Sequence, residues 1–330
     1  MNPSYFKIGS FNLYNLVLPN VSYHQSSSYT PEDYQRKTTW IARQLDFMGA
    51  DLVGFQEIFH QEAIQEALSK SERFKNAHVL VANPTGKTPA VGLASLFPLI
   101  DHEVIEMFPP QALLDIEGVD IPFSRFSRPV LKARVEVTEN LQMTVFVIHL
   151  KSKRPLVPEG VDEDDPVENA KGQARSLIIR GMEAAALRTI LVEALRDRTG
   201  PVIVMGDAND WDFAVSTRII SGEAPWRKLQ QKSRLDLWDL LLYHVKNIQA
   251  RQSYSNVYYT YIFNGHYGSL DHILVSREFL LQNPDKIGRV VYTSAFNDHL
   301  IDKTLGYVQT PCWQSDHGQV VATFELCEET

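Results

Sequence analysis

Two cysteines, Cys312 and Cys327, are the whole thiol complement of 330 residues. They can build neither a disulfide framework nor a four-thiolate zinc site, so they read as free thiols in a reducing compartment. Positive charge is also scarce: 32 Lys and Arg stand against 40 Asp and Glu, a formal net charge of −8. A protein that coats nucleic acid passively needs the opposite balance, so that role is disfavoured. A protein that holds a cation among its acids is not. No stretch approaches the ~18 apolar residues needed to cross a bilayer. The opening Met1–Lys7 lacks the basic head and apolar run of a signal peptide. The expectation is a cytoplasmic protein with no stable membrane insertion.

What is present is ordinary globular material, 44% apolar and 22% charged, which excludes global disorder. At ~150 residues per domain the length is roughly two domains' worth. Yet strand and helix patterns interleave from end to end, without a Ser/Gly linker or a repeat. That points to one α/β domain, residues 1–330, containing more than one sheet.

The opening Tyr5–Phe11 alternates with period two and reads as a strand that stops at Asn12. Thr30-Pro31-Glu32-Asp33 supplies an N-cap, a proline at the first helical position and acids in the first turn. That helix runs to Met48 and stops at Gly49. Asp51–Phe55 is a short buried strand ending at Gln56-Glu57, and a helix follows over 60–70. Strand-like runs lie at 78–82, 91–96, 102–108, 130–137 and 142–149. From Glu159 to Glu168 six of ten residues are acidic, as in a solvated loop. Asn169–Arg198 is the longest helical pattern, with Ala174, Leu177, Ile178, Leu187, Ile190 and Leu191 at helical spacing. Later strands are expected at 201–205, 257–262, 271–275, 287–292 and 319–326.

Several of these strands finish in polar residues that apolar packing does not explain. They are Asn12, Gln56-Glu57, His149-Leu150-Lys151-Ser152-Lys153-Arg154, Gly206-Asp207-Ala208-Asn209, Ser269-Leu270-Asp271-His272 and Ser315-Asp316-His317. Strand ends and the loops after them are where α/β folds place their sites. Each feature alone is a turn residue, a loop start or a half-buried histidine. A turn explanation does not predict acids, amides and histidines after so many separate buried strands. Acids and amides without cysteine suit a hard cation such as Mg²⁺ or Mn²⁺. An Asp-paired histidine moves protons or holds developing charge, and Lys151, Lys153 and Arg154 would attract a phosphate. The chemistry is metal-assisted phosphoester hydrolysis.

In this order the six motifs resemble the endonuclease/exonuclease/phosphatase superfamily over nearly the whole chain. The resemblance implies an α/β four-layered sandwich, two mixed β-sheets packed face to face and flanked by helices. It implies Glu57 as the main metal ligand, with Asn12 and Asp316 close to the same cation. It implies Asp207 as the residue that orients or deprotonates water, Asn209 as a donor to the phosphate, and Asp271 as the partner of His317. His149 would bind phosphate or assist the leaving group. Asp207 and His317 both remain candidates for the base. Tyr14 and His149 stand where some abasic-site enzymes carry an acid and a tyrosine, which argues against that repair activity. Ala208 replaces a common Phe, and Gly318 follows Ser315-Asp316-His317 where a bulkier residue is commoner. The His149–Lys153 run, Arg175 and Arg180, and Tyr261-Ile262-Phe263 resemble a bacterial branch. The leading expectation is a nuclease acting on nucleic acid. Phosphoinositides, phospholipids or small phosphate esters are the alternative substrates, and an inactive binding protein is the third reading.

Overall fold

The computed structural model describes residues 5–23, 27–114, 123–197, 199–223, 236–252, 258–305 and 310–327. In chain order its main elements are β1 (Tyr5–Leu16), α1 (Pro31–Met48), β2 (Leu52–Ile58), α2 (Gln61–Ser69), β3 (His78–Val81), β4 (Ala90–Ser95), β5 (Leu99–Met107), β6 (Arg125–Thr138), β7 (Leu141–His149), α3 (Pro166–Asp197), β8 (Val202–Asp207), α4 (Val215–Ser221), β9 (Tyr243–His244), α5 (Val245–Gln252), β10 (Tyr261–Phe263), β11 (His266–Gly268), β12 (Asp271–Val275), β13 (Gly288–Phe296) and β14 (Gln319–Leu326).

The strands build two six-stranded mixed sheets, ordered β13-β14-β1-β2-β4-β3 and β5-β6-β7-β8-β12-β9. Each has one parallel pair at its centre, β1 with β2 and β7 with β8. Each pair is joined through a helix, α1 or α3, as a parallel crossover requires. Three apolar clusters define four layers. Ile8, Leu52, Val145, Val147, Ile203 and Met205 meet between the sheets. Trp40, Ile41 and Leu45 of α1 cover Phe11, Val53 and Phe55 on the outside of the first sheet. Leu187 and Leu191 of α3 cover Phe146, Val202 and Val204 on the outside of the second. No described helix is long and apolar enough to cross a membrane.

Local chemistry explains the helix ends. Thr30 accepts from the Asp33 N–H, Pro31 is the first helical residue, and Gly49 closes α1 in the left-handed region at φ 57°. The long helix α3 starts at Pro166, earlier than its apolar periodicity suggests. Asp165 caps it, its carboxylate accepting from the N–H groups of Val167 and Glu168. The acidic loop therefore ends by nucleating the helix.

Other departures from the sequence pattern have equally specific causes. Leu177 and Ile178 are exposed, and the first half of α3 turns Ser176, Arg180 and Glu183 inward instead. That half lies over the polar loop after β7, where hydrogen bonds take the place of apolar contact. β6 begins at Arg125, and Phe126 and Phe123 pack edge-on against Phe108. The strand expected over 257–262 is the short hairpin β10–β11, and residue 257 lies outside the described residues, as does Arg198. Cys312 and Cys327 are both free and exposed.

Candidate active site

The two parallel pairs end on the same side of the sandwich, and their ends carry the site. β1 does not stop at Asn12. It bulges through Tyr14 and Asn15, at φ 51° and 57°, and its pairing with β2 resumes at Leu16 opposite Ile58. Glu57 itself sits at φ 65°. A left-handed backbone is uncommon for non-glycine residues and collects at functional sites. Here it turns the Asn15 N–H toward Glu57, donating to Oε2 at 2.8 Å. The Tyr14 N–H donates to Asn12 Oδ1 at 3.0 Å. The two bulges thus lock Asn12 and Glu57 side by side.

In the second sheet, register does the positioning. His149 pairs with Asp207 and Asp207 with Asp271, so one row across three adjacent strands carries all three side chains. Gly206 makes the row possible. Its φ is 142°, and a Cβ there would lie 2.1 Å from the Ile148 carbonyl.

The sheets meet at Asp207. Its Oδ2 accepts from Asn12 Nδ2 and from Asn209 Nδ2, each at 3.2 Å, and its Oδ1 from the Asn209 N–H at 2.7 Å. His149 Nε2 lies 3.6 Å from the same Oδ2 and 4.0 Å from Glu57 Oε1. His317 Nε2 approaches Oδ2 at 3.9 Å, while its Nδ1 is 2.9 Å from Asp271 Oδ2. Asp271 and His317, far apart in the chain, are thus a bonded pair. Ser315 fixes that turn by donating to the Asn12 carbonyl at 2.7 Å and accepting from the His317 N–H at 3.0 Å.

The electrostatics follow from burial. Desolvation alone would lower His317, but Asp271 and Asp207 outweigh it and hold the imidazole charged, well above its ordinary range. His149, buried and near Arg128, is pushed well below it and stays neutral. Burial raises the Asp207 carboxyl, His317 opposes the rise, and Asp271 adds to it. Burial also raises Asp316, with Glu57 adding to the rise.

A second buried cation was not foreseen from sequence. Lys37 of α1 is wholly buried and donates to the Tyr14 carbonyl at 2.8 Å, between the rings of Tyr14 and Tyr29. It braces the β1 bulge from beneath. Burial lowers it from 10.5 to about 8, with Glu57 and Asp316 opposing the fall. Between those two values the unfolded chain binds the extra proton, so this group should make stability rise as pH climbs from about 8 toward 10.5. Denaturant unfolding of wild type and Lys37→Met checks this. The wild-type-minus-variant stability difference should increase over that interval, and a flat difference would remove the assignment.

The loop after β7 is held from α3. Glu183 accepts from the Lys151 N–H at 2.6 Å and the Ser127 N–H at 2.7 Å. Arg180 donates to the Lys151 carbonyl at 3.2 Å and pairs with Asp210 at 3.4 Å. Lys153 is committed to Asp210 at 2.8 Å, Lys151 Nζ turns to Ser152, and Arg154 is exposed. Of the three cations expected to attract phosphate, Lys153 is thus engaged by an acid. Arg180, which the sequence marks only by its likeness to a bacterial branch, joins Asp210 and Glu183 as structural members of the site to which motif spacing gives no role.

The donor set fits a hard divalent cation. Among the described residues no group donates to the buried Asp316 Oδ1, and Glu57 Oε1 receives only a 3.5 Å contact from Asn12. The amide oxygen of Asn12 is taken by Tyr14, so carboxylates are the direct donors there. Asp207, Asp271 and His317 also offer ligand atoms within 4.8 Å of one another. Both Asp207 oxygens there accept from Asn12 or Asn209 and Asp271 Oδ2 is bonded to His317, while among the described residues no group donates to the buried Asp271 Oδ1.

Two mixed sheets whose parallel strand ends converge on such a centre define a class, the hydrolytic phosphoesterases of the α/β-sandwich type. The sequence matches the Endonuclease/Exonuclease/phosphatase family over residues 9–317, and the chain belongs to that family. No curated protein matches it by sequence. Similar solved structures include a humanized D. rerio TDP2, with TM-score 0.58 and 15% identity over 98% of this chain and 100% of that one. The human nocturnin catalytic domain with bound sulfate has TM-score 0.56 and 14% identity over 98% and 95%. D. rerio TDP2 with a single-strand DNA product has TM-score 0.54 and 15% identity over 98% and 100%. At these identities the likeness is one of fold.

Proposed function

We propose that the protein is a divalent-metal-dependent phosphodiesterase whose substrate is nucleic acid, acting in the cytoplasm as a single domain. The observation that carries the reading is the convergence of His149 and His317 on the buried Asp207, at 3.6 and 3.9 Å, beside two carboxylates. Glu57 and Asp316 would hold the cation, Mg²⁺ or Mn²⁺, with Asn12 as their neighbour. When bound, such an ion withdraws charge from the phosphoryl oxygens and steadies the leaving oxygen.

The protein's own groups divide the remaining work. Asp207 accepts the proton of the attacking water, because His317, held protonated by Asp271, has no free ring lone pair to take it. The bonds from Asn12 and Asn209 aim that carboxylate. His317, kept cationic by Asp271, balances charge on the phosphate as water adds. His149 is neutral and would contact the phosphate or the leaving oxygen as its bond to phosphorus breaks, and Asn209, whose Nδ2 donates to the Leu150 carbonyl at 3.0 Å and to Asp207 at 3.2 Å, would donate to the phosphate by exchanging one of those bonds. Lys151 and Arg154, with Lys153 at the edge, draw in the polyanion.

The test is hydrolysis of plasmid, oligonucleotide, bis-p-nitrophenyl phosphate and inositol phosphates with Mg²⁺, Mn²⁺ or chelator. Nucleic acid should be cut faster than phosphomonoesters, chelator should abolish the cut, and capture should weaken as salt rises. Rapid release of phosphate from inositol phosphates, with no nicking of plasmid, would overturn the choice of substrate and leave the metal site standing. An inactive binding role has no support from the site, since each motif position keeps a reactive side chain.

A further inference from the structure

A pocket of about 540 Å³ opens beside α1, lined by Gln35, Arg36, Thr39, Trp40, Arg43 and Trp313. Small-ligand sites span roughly 300–1,000 Å³, so its size suits one compact molecule. Helical spacing builds the first wall, because Arg36, Trp40 and Arg43 fall on one face of α1. Trp40 is a fixed part of it, buried and set edge-on to Phe11 with ring centres 5.7 Å apart. The second wall is Trp313, placed by a turn in which the Gln314 N–H donates to the Pro311 carbonyl at 2.9 Å. No carboxylate lines the pocket, although the chain as a whole carries a net charge of −8. Arg36 reaches Asp33 only at 3.9 Å, with 68% of its side chain exposed, and such a pair contributes little. Among the described residues Arg43 has no acid partner. The Gln35 amide is spent on α2, donating to Glu66 at 2.9 Å and accepting from Lys70 at 2.7 Å.

Two indoles and two guanidinium groups without a competing acid are a recognisable donor set. We propose that this pocket is a second ligand site, separate from the catalytic centre, for a small planar aromatic anion. The indoles offer apolar surface to a flat ring. The guanidinium forks match a phosphate or a carboxylate with paired hydrogen bonds, which a lysine could not do. A mononucleotide and an aromatic carboxylate share this chemistry. An uncharged ring would leave the arginines unused, and a bare anion would leave the indoles uncovered. Trp40 and His299 stand between the pocket and the centre. Their ring centres are 5.1 Å apart, and His299 Nε2 donates to the His317 carbonyl at 2.9 Å. The site therefore meets the catalytic turn through its backbone, and the proposal holds whichever phosphodiester the centre cuts. A polynucleotide running out from the centre is the competing occupant. It would need cations spaced along its path, whereas both arginines here line one pocket.

The experiment is calorimetric titration of the full chain, in chelator, with adenylate, indole acetate, adenosine and inorganic phosphate. One or both aromatic anions should bind once per chain with Kd below about 1 mM, at least about tenfold tighter than adenosine or phosphate. Adenylate alone marks the ligand as a mononucleotide, and indole acetate alone marks it as an aromatic carboxylate. Arg43→Ala and Trp313→Ala should each weaken binding by about tenfold, and Asp207→Asn should leave it unchanged. Arg43 is exposed, so its variant reads the site even if Trp313→Ala fails to fold. Binding of neither anion overturns the proposal, as does adenosine or phosphate binding equally well. Affinity lost in Asp207→Asn and kept in Arg43→Ala would put the ligand in the catalytic centre and overturn it too. So would oligothymidylate affinity that grows with strand length and falls in Arg43→Ala, since the pocket would then be one step of a polynucleotide track.

Discussion

Asp207→Asn should lower turnover by on the order of 10³-fold, within the range expected when a positioned proton acceptor is lost. Asn12 and Asn209 each aim an NH₂ at Asp207 Oδ2 from 3.2 Å, and the Asn209 N–H approaches Oδ1 at 2.7 Å. A carboxylate satisfies all three donors. A carboxamide cannot, because either orientation sets its own NH₂ against a donor. The variant therefore loses the proton acceptor and some of its order together, at about 1–3 kcal/mol for an unsatisfied buried group. Thermal unfolding separates the two effects. A folded variant with the expected loss of turnover supports the role, and a loss below about tenfold would transfer the proton acceptor's role to another group.

Much of this centre is legible in the sequence because strand ends are legible. Asn12, Glu57, His149 and Asp207 stand at or near the ends of apolar runs, Asp271 and His317 at or just before the starts of theirs, and the fold brings those ends together. Register does the rest: the pairing of His149, Asp207 and Asp271 follows once β7, β8 and β12 are neighbours. What is not legible depends on conformation or on distant partners. Asn15 is of a type that tolerates a left-handed backbone, but tyrosine and glutamate rarely adopt one, so neither Tyr14 nor Glu57 announces its bulge. Lys37 looks like one more polar position on an amphipathic helix, because the periodicity of α1 cannot say that a carbonyl waits beneath it. Leu177 and Ile178 mislead for the same reason. Their spacing is helical, but the loop they pass over presents polar backbone, and Ser176, Arg180 and Glu183 answer it.

The same distinction sets the expectation for Glu57→Gln, which should weaken divalent-cation binding by about a hundredfold or more, as losses at metal-site partners commonly reach that size. Glutamine has the same shape, and its oxygen still accepts from the Asn15 N–H that Oε2 now receives at 2.8 Å. The bulges in β1 and β2 should therefore survive, together with the left-handed backbone at position 57. What disappears is the charge that a hard cation requires. Asp316 would be left as the single carboxylate of the pair, with Lys37 still buried nearby and no longer opposed by Glu57. Calorimetric titration with Mn²⁺ reads the effect directly, without turnover. Unchanged affinity in a folded variant would move the cation away from Glu57 and toward Asp207, Asp271 and His317, whose ligand atoms lie within 4.8 Å of one another.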